Sequence, residues 1–170
     1  TDVKVPKENR IGEDGFGFNF AMAVLNGGRI GIASQALGIA SGAYELALKY
    51  AKERHQFGKA ISSFQAVNFM LADMATEIDA SELLIRRAAD LKNAKQKMTR
   101  EGAMAKLYAS EACVRISNNA VQIFGGYGYI DDYPAQKYLR DARVMTLYEG
   151  TSQIQKLLIG RAETGVSAFL

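Results

Sequence analysis

Cysteine, histidine, tryptophan and proline are scarce in this 170-residue chain, which has one Cys, one His, two Pro and no Trp. A lone cysteine, Cys113, excludes a small secreted module stabilised by disulfides. With one His and one Cys, the chain also lacks the nitrogen and sulfur ligands of a zinc site. No Ser-His-Asp triad is indicated either, because His55 lies among basic and polar neighbours, as surface residues do. We therefore predict no metal site.

Turn-forming residues are unevenly distributed along the chain. No proline lies between Pro6 and Pro134, and no glycine lies between Lys59 and Glu101. Because these two residue types punctuate turns, a many-stranded sandwich or barrel would be short of turns here. Apolar residues make up 48% of the chain, enough to build a core and to argue against disorder. The composition therefore favours a mostly helical domain.

Neither sign of charge dominates, since 21 Lys and Arg accompany 18 Asp and Glu. The two signs are interleaved, whereas nucleic-acid binders usually show a concentrated basic stripe. The chain also has no run of 18 apolar residues, which a membrane-spanning helix would need. We predict neither nucleic acid nor membrane as a partner. The chain begins at Thr1 with a polar stretch, so we predict no signal peptide in it, and we expect that Thr1 is the cut edge of one domain of a longer protein.

Apolar residues recur with the period of a helix over most of the chain. Residues 1–16 read instead as an extended lead-in. Ser152 and Gln155 have the spacing of a capping box, which predicts the start of a last helix. The pattern indicates an all-α fold, an up-down four-helix bundle with an additional C-terminal helix, over residues 17–170. The four long helices are predicted at about 18–54, 64–91, 100–124 and 134–147.

Small residues line one face of the first predicted helix, at positions 27, 31, 34, 38 and 42. Each glycine inside a helix costs about 1 kcal/mol relative to alanine. A repeated cost of this kind indicates that something packs very close to the face. The occupant is either a neighbouring helix or a ligand that lies along it.

Glu149 directly precedes a predicted helix start at Gly150, Thr151 and Ser152. The positive end of a helix stabilises a carboxylate, whereas burial against an apolar ligand stabilises the protonated acid. A glutamate between these two influences can act as a base toward a carbon acid. The alternative is a plain electrostatic contribution to the start of the helix.

Two further features admit a structural and a ligand-binding interpretation. The run from Gly125 to Gly128 can end the third helix or cradle a phosphate, although no strand precedes it as in a dinucleotide fingerprint. Arg54 can stabilise the end of the first helix or fork onto phosphate oxygens. Arg29, amid small residues, needs a partner if it is buried.

Four separate stretches of sequence together resemble the C-terminal helical domain of the acyl-CoA dehydrogenases, most closely the short-chain (butyryl-CoA) branch. Their order and spacing match that family essentially end to end. Residues 1–16 would then be the exit from a β domain that this chain lacks. The stretches are VPKENRIGEDGFGF at 5–18, GRIGIASQALGIASGAYELALKYAKERHQFGKAISSFQ at 28–65, AVQIFGGYGYIDDYPAQKYLRDAR at 120–143 and YEGTSQIQ at 148–155.

The resemblance implies FAD-dependent α,β-dehydrogenation of a short acyl-CoA to the trans-2-enoyl-CoA, a step of fatty acid β-oxidation. Glu149, in YEGT, matches the glutamate that removes the α proton. In the isovaleryl and long-chain branches the base lies on the first helix, where this chain has Gly28. Gly28 together with Glu149 therefore points away from those branches.

The resemblance also implies roles for other positions. Arg54 matches an arginine that reaches the FAD pyrophosphate of a neighbouring subunit. Asn26 stands where the family commonly has Asp, which leaves the charge balance of Arg29 in question. The matched cofactor-binding residues are Arg54, Gln56, Phe57, Gln65, Gln122, Ile123, Phe124, Gly125, Gly126, Thr151, Ser152 and Gln153. The matched substrate-binding residues are Asn26, Gly27, Gly28, Arg29, Tyr148 and Gly150.

The partners that the resemblance implies are an acyl-CoA substrate, electron-transfer flavoprotein as the electron acceptor, and further copies of the chain in a homotetramer. The implied compartment is the cytoplasm of a bacterium or the mitochondrial matrix of a eukaryote. Because half of the flavin pocket would lie outside this chain, we expect the segment alone to be inactive. Two alternatives remain open: a helical oligomerisation module without chemistry, and another acyl-CoA flavoenzyme such as an oxidase or a glutaryl-CoA-type enzyme.

Overall fold

The computed structural model describes residues 1–169, and helices account for most of this part of the chain. The all-α prediction is confirmed. Three short 3-10 turns, at Lys7–Asn9, Ile61–Ser63 and Gly125–Gly128, flank or join the longer elements. Those elements are α1 (Gly17–Glu53), β1 (His55–Gln56), β2 (Lys59–Ala60), α2 (Gln65–Asn93), α3 (Thr99–Phe124), α4 (Ala135–Val144) and α5 (Ser152–Thr164).

The third helix, α3, is the centre of the bundle, since it packs against α1, α2, α4 and α5. Half of its residues are buried, from Gly102 to Phe124. Helix α1 also packs against α2 and α4. This arrangement is the predicted four-helix bundle, with α5 added on the side of α3.

Alanines form the contact between α1 and α3. The buried apolar residues of α1 are all alanines, spaced three or four apart as one face of a helix requires. Side chains this small allow the axes of two helices to approach closely. Larger side chains such as Met74 of α2 and Ile116 of α3 fill the rest of the core. The alanines of α1 are Ala33, Ala36, Ala40, Ala43, Ala47 and Ala51.

Two local predictions are wrong at the ends of helices. Ser152 does not cap α5; the cap is Thr151, whose hydroxyl accepts from the Ile154 N–H at 3.4 Å. Gly150, with φ of 89°, turns the chain one residue earlier than the capping-box spacing predicts. The fourth helix ends at Val144 rather than Leu147, and the chain then turns toward Glu149.

The segment between α1 and α2 contains a small antiparallel hairpin that the sequence pattern did not predict. Its two strands pair His55 with Ala60 and Gln56 with Lys59. Phe57 and Gly58 form the turn, both with positive φ, at 52° and 79°. Strands this short carry no readable alternation, so only the break in the helix was visible in the sequence.

The glycine face of α1 has close neighbours at only some of its positions. A Cβ on Gly42 would lie 2.9 Å from the Tyr138 hydroxyl, and a Cβ on Gly27 would lie 3.0 Å from Lys92 Nζ. A Cβ on Gly31 or Gly38 would meet no heavy atom of the described chain within 4 Å. Packing of the last two against a second copy or a ligand stays a prediction.

The one histidine and the one cysteine lie in different surroundings. His55 is exposed, as predicted for a surface residue, and Cys113 is a buried free cysteine. Burial raises the pKa of the Cys113 thiol to about 12, so it stays protonated. Within residues 1–169, no helix combines the length and apolar character needed to cross a membrane. In the same part of the chain, no group of three His, Cys, Asp or Glu side chains is arranged to hold a metal ion.

Candidate active site

Glu149 and Gly150 form a tight turn just before α5. Both have positive φ, at 55° and 89°, a conformation that is costly for a residue with a side chain. The amide of Gln155 donates to both backbone carbonyls, at 3.2 Å for Glu149 and 2.9 Å for Gly150. The Lys106 ammonium donates to the Gly150 carbonyl at 2.7 Å. The turn is therefore fixed by donors from both α5 and α3.

The Glu149 side chain lies against Gly28 of α1. A Cβ on Gly28 would approach the Glu149 Cδ to 3.0 Å and would overlap Oε2. This Oε2 atom is buried and has no hydrogen-bond partner. A buried carboxylate oxygen without a donor is costly in a folded protein and is free to accept a proton. The structure thus brings together the two residues that the resemblance paired.

Arg29 is buried beside this carboxylate, with only 5% of its surface exposed. One of its terminal nitrogens donates to Asn26 Oδ1 at 2.5 Å, and its Nε has no partner. Burial lowers the pKa of Arg29, and the negative charge of Glu149 raises it. Because Asn26 is neutral, Glu149 is the group whose negative charge acts on the guanidinium. The hydrogen bond to Asn26 therefore satisfies only part of the buried guanidinium.

Tyr148 links the same turn to α1. Its hydroxyl donates to Gln35 Oε1 at 2.7 Å and lies 3.2 Å from the Met145 sulfur. Burial raises the pKa of Tyr148 most, the charge of Glu149 raises it further, and the hydrogen bond to Gln35 lowers it. The predicted substrate-binding residues, from Asn26 to Arg29 and from Tyr148 to Gly150, therefore form one region.

A second region lies where α1 and α3 end. A cleft of about 470 Å³ opens there, with the stacked rings of Tyr50 and Phe124 on one wall, 3.9 Å between their centroids. The guanidinium of Arg54 lies 5.6 Å from the centre of the Tyr127 ring. Seven of the predicted cofactor-binding residues line this cleft: Arg54, Gln56, Gln122, Ile123, Phe124, Gly125 and Gly126.

The donors of this cleft suit a ligand that carries phosphate and amide groups. Arg54 offers a fork for phosphate oxygens, and Gln56 and Gln122 offer amides. A Cβ on Gly125 or Gly126 would meet no other atom within 4 Å, so these two glycines leave an open backbone surface. The residues present therefore fit the pyrophosphate and adenosine part of an FAD molecule.

The remaining predicted cofactor residues do not line this cleft. Phe57 is 91% exposed and lies edge-on to Phe64, with 6.2 Å between ring centres, and Gln65 is exposed at the start of α2. Thr151 caps α5. Ser152 and Gln153 line a separate cavity of about 310 Å³. The Ser152 hydroxyl donates there to Glu111 Oε1 at 2.5 Å.

The two regions lie far apart along α1. Gly28 and Arg54 are separated by 26 positions of one helix and its C-terminal cap. At 1.5 Å per residue, this separation is about 39 Å. An extended FAD is shorter than that, so one molecule cannot touch both the Glu149 carboxylate and the cleft at Arg54 of the same chain.

Two residues of the active-site region were missed at the sequence level, Lys106 and Gln155, both fully buried. Burial lowers the pKa of Lys106 to about 8, although the charges of Glu111 and Glu149 raise it and that of Arg29 lowers it. Lys106 lies four positions after Gly102 and three before Ala109, on the buried face of α3. This spacing is the signal that could have identified it.

Known proteins resemble this chain over most of its length. Residues 15–164 match the model of the family described as acyl-CoA dehydrogenase, C-terminal domain. The caffeyl-CoA reductase-Etf complex subunit CarC of Acetobacterium woodii is 57% identical over 158 residues, 93% of this chain and 42% of that protein. The mitochondrial short-chain specific acyl-CoA dehydrogenase of Rattus norvegicus is 54% identical over 93% of this chain and 38% of that protein.

Solved structures agree with the sequence comparisons. The butyryl-CoA dehydrogenase of Megasphaera elsdenii superposes with a TM-score of 0.92 at 48% identity, over 95% of this chain and 42% of that one. A chain in a structure of the electron transferring flavoprotein of Acidaminococcus fermentans gives 0.94 at 52% identity, over 96% and 43%. The chain thus spans about two fifths of these relatives, 38–43% of their length. Because the family model matches residues 15–164, the chain belongs to the acyl-CoA dehydrogenase C-terminal domain family.

Proposed function

We propose that this chain is the C-terminal part of an FAD-dependent dehydrogenase that oxidises a short acyl-CoA to its trans-2-enoyl-CoA. The observation that carries the proposal is the Glu149 carboxylate, buried against Gly28 with Oε2 unpartnered. A base in this state has a free lone pair and faces the helix that carries the predicted substrate contacts. The short-chain names of several relatives support the same reaction class.

Glu149 takes the proton when the α C–H bond of the thioester breaks. The electron pair left on the α carbon forms the double bond as a hydride leaves the β carbon. FAD, when bound, supplies the oxidant that accepts this hydride. Arg29 and Lys106 hold positive charge near the carboxylate, and both interact electrostatically with Glu149. The Glu149 carboxyl group holds the proton after the reaction.

The separation along α1 supports sharing of cofactors between copies of the chain. The cleft at Arg54 and Gly126 would hold the pyrophosphate and adenosine part of an FAD whose ring lies at the Glu149 of another copy. The distance of about 39 Å along α1 requires this division of roles if both regions serve FAD. We infer a homo-oligomer, a tetramer in the family pattern, that is required for activity. This requirement also explains why the segment alone would be inactive.

A second candidate function is the reverse reaction, the reduction of an enoyl-CoA. It is favoured by the 57% identity to a protein named as the caffeyl-CoA reductase-Etf complex subunit. In that direction Glu149 delivers its proton to the α carbon of an enoyl-CoA, and the electrons come from an electron-transfer flavoprotein. In the dehydrogenase direction the same flavoprotein would receive them. The residues of this chain serve both directions, because the proton site is the same.

The decisive experiment compares the wild-type full-length enzyme with Glu149→Gln. Butyryl-CoA is mixed with each protein while flavin absorbance is followed. We expect bleaching to slow by about 10²–10⁴-fold, because the amide cannot accept the α proton, with FAD content unchanged. Glu45→Gln, an exposed glutamate of α1, is the control and should behave as wild type.

Three outcomes separate the candidates. Bleaching of Glu149→Gln at the wild-type rate would remove Glu149 as the base. A wild-type protein that binds FAD but is unaffected by acyl-CoAs, and whose reduced flavin reacts with an enoyl-CoA, would favour the reductase. A protein that binds no FAD would leave the helical oligomerisation module as the better description.

A further inference from the structure

We propose that Lys106 is a positioning residue for the base, holding the Glu149-Gly150 turn in place and supplying positive charge to the carboxylate. This inference rests on the proposed function in that Glu149 is the base. Its structural basis is independent of the reaction. That basis is a hydrogen bond of 2.7 Å from Lys106 Nζ to the Gly150 carbonyl, made by a fully buried side chain.

The turn needs external support because of its backbone conformation. Two consecutive residues adopt positive φ, and the first of them, Glu149, has a full side chain. Such a conformation costs on the order of 1–3 kcal/mol and persists only where its surroundings impose it. Lys106 and Gln155 provide the donors that impose it, from two different helices. Without the donor on α3, only the Gln155 amide would hold these carbonyls.

Burying an ammonium group is itself costly, which argues that Lys106 has a role that a smaller or apolar residue could not fill. Its neighbours on α3, such as Ala103, Ala105 and Ala109, are small and apolar. An apolar side chain at position 106 would avoid the cost of desolvation. The structure nevertheless has a lysine at this position, and its ammonium group donates to the carbonyl of Gly150, the residue next to the proposed base.

Three charged groups, from three parts of the fold, act on Lys106. Glu111 lies on the same helix, Glu149 is in the turn before α5, and Arg29 is on α1. Glu111 is already engaged by the Ser152 hydroxyl. Glu149 has no donor on Oε2, so the cations Arg29 and Lys106 are its electrostatic support. Removing the charge of Lys106 removes one of the two positive charges that act on Glu149.

Two variants in the full-length holoenzyme separate the hydrogen bond from the charge. Lys106→Met removes both at nearly constant length, and Lys106→Gln keeps an N–H donor without the charge. Lys137→Met, an exposed lysine of α4, is the matched control. The first readout is hydrogen–deuterium exchange of the segment 146–155. We expect exchange at least tenfold faster in Lys106→Met, partial recovery in Lys106→Gln, and no change in Lys137→Met.

The second readout is flavin reduction by saturating butyryl-CoA between pH 6 and pH 9. In Lys106→Met we expect a rate at pH 7 about tenfold lower, with acyl-CoA affinity within twofold and equal FAD content. The acid limb of the profile should move to higher pH in both Lys106 variants, because both lack the charge. A purely structural role would lower the rate without moving that limb.

The outcomes distinguish this inference from the proposed function. If wild-type flavin is not reduced by acyl-CoA, the proposed function fails, and the exchange of 146–155 still decides the positioning role. Wild-type exchange of that segment in Lys106→Met would overturn the positioning role. An unmoved acid limb in both variants would overturn the electrostatic role. If Lys106→Met does not fold, Lys106→Gln provides both readouts.

Discussion

The absent side chain of Gly28 is what gives the Glu149 carboxylate its position, since a Cβ there would lie 3.0 Å from Glu149 Cδ and overlap Oε2. Glycine inside a helix costs about 1 kcal/mol relative to alanine. At position 28 this cost provides space for a carboxylate from a turn that lies 121 residues further along the chain. The two residues are therefore one structural unit, although they are far apart in sequence.

Replacing Gly28 with alanine should damage the reaction rather than the fold. The added methyl group improves helix propensity but displaces the Glu149 carboxylate from its place against α1. A displacement of 1 Å in a reacting group can cost about 10²-fold in rate, and we expect a loss of that size. The measurement is single-turnover flavin reduction by butyryl-CoA in the full-length enzyme, with FAD content and thermal stability recorded in parallel.

Gly160→Ala is the matched control for that variant. Gly160 also lies inside a helix, α5, and a Cβ there would meet no heavy atom within 4 Å. In the Gly160→Ala variant, the flavin should therefore be reduced at the wild-type rate. Equal rates in Gly28→Ala and wild type would show that the contact with Gly28 does not position the base.

Most of the fold could be predicted from the sequence because its signals are local. Helices α2 and α3 repeat apolar residues at helical spacing, and α1 repeats small residues. Glycines lie at or near the ends of α1 and α3, and the predicted bounds of these two helices fall within one residue of those observed. The capping-box prediction at Ser152 was wrong because the spacing of two residues does not show which residue is the N-cap, the last one before the helical conformation begins. The left-handed Gly150 decides that, and its φ depends on contacts with Gln155 and Lys106.

Residues of the candidate site could be predicted only where they lie in a recognisable sequence motif. Glu149 and Gly126 lie in stretches whose order matched a family, so their proposed roles came with the resemblance. Lys106 lies on a helix among alanines, where a single lysine is normally read as a solvated residue. Its spacing from Gly102 and Ala109 places it on the buried face of α3, but the contact of its ammonium with Gly150 depends on the fold of the distant Glu149 turn. The distance between the two regions could likewise be obtained only from the structure, because it depends on α1 being one continuous helix.

Gly126 and Gly128 lie two positions apart and should respond differently to substitution. A Cβ on Gly126 would meet no atom of the chain within 4 Å. We therefore expect Gly126→Val in the full-length enzyme to fold normally and to bind FAD at least tenfold more weakly, a loss of about 1.4 kcal/mol. FAD retention during dialysis, with the far-UV circular dichroism spectrum as a check on folding, measures both effects. Unchanged FAD retention would remove Gly126 from the cofactor surface.

Gly128→Ala should instead destabilise the protein. A Cβ at this buried position would lie 2.6 Å from the Val121 carbonyl oxygen and 2.8 Å from Phe124 Cβ, both part of α3. These atoms belong to the backbone or adjoin it, so they cannot rotate away. We expect a loss of about 1–3 kcal/mol, typical of overpacking, seen as a lower melting temperature of the apoprotein. A melting temperature equal to that of Gly126→Val would contradict this expectation.

The buried Lys106 should make stability depend on pH in a defined window. Its folded pKa of about 8 lies below the ordinary value of 10.5, so the unfolded chain binds more protons between these two values. Stability therefore rises with pH through this window and carries the full penalty of the charged lysine below pH 8. The shift corresponds to at most about 3 kcal/mol.

Comparison with Lys106→Met isolates this effect, because Cys113 and Tyr148 contribute the opposite slope at high pH. Burial raises the pKa of both groups, so their stabilisation is lost as the pH rises. These contributions are the same in the two proteins and cancel in the difference. We expect the melting temperature of the wild-type holoenzyme to gain on that of Lys106→Met steadily from pH 8 to pH 10. A constant difference across that range would mean that Lys106 titrates as an ordinary solvated lysine, despite its burial against Gly150.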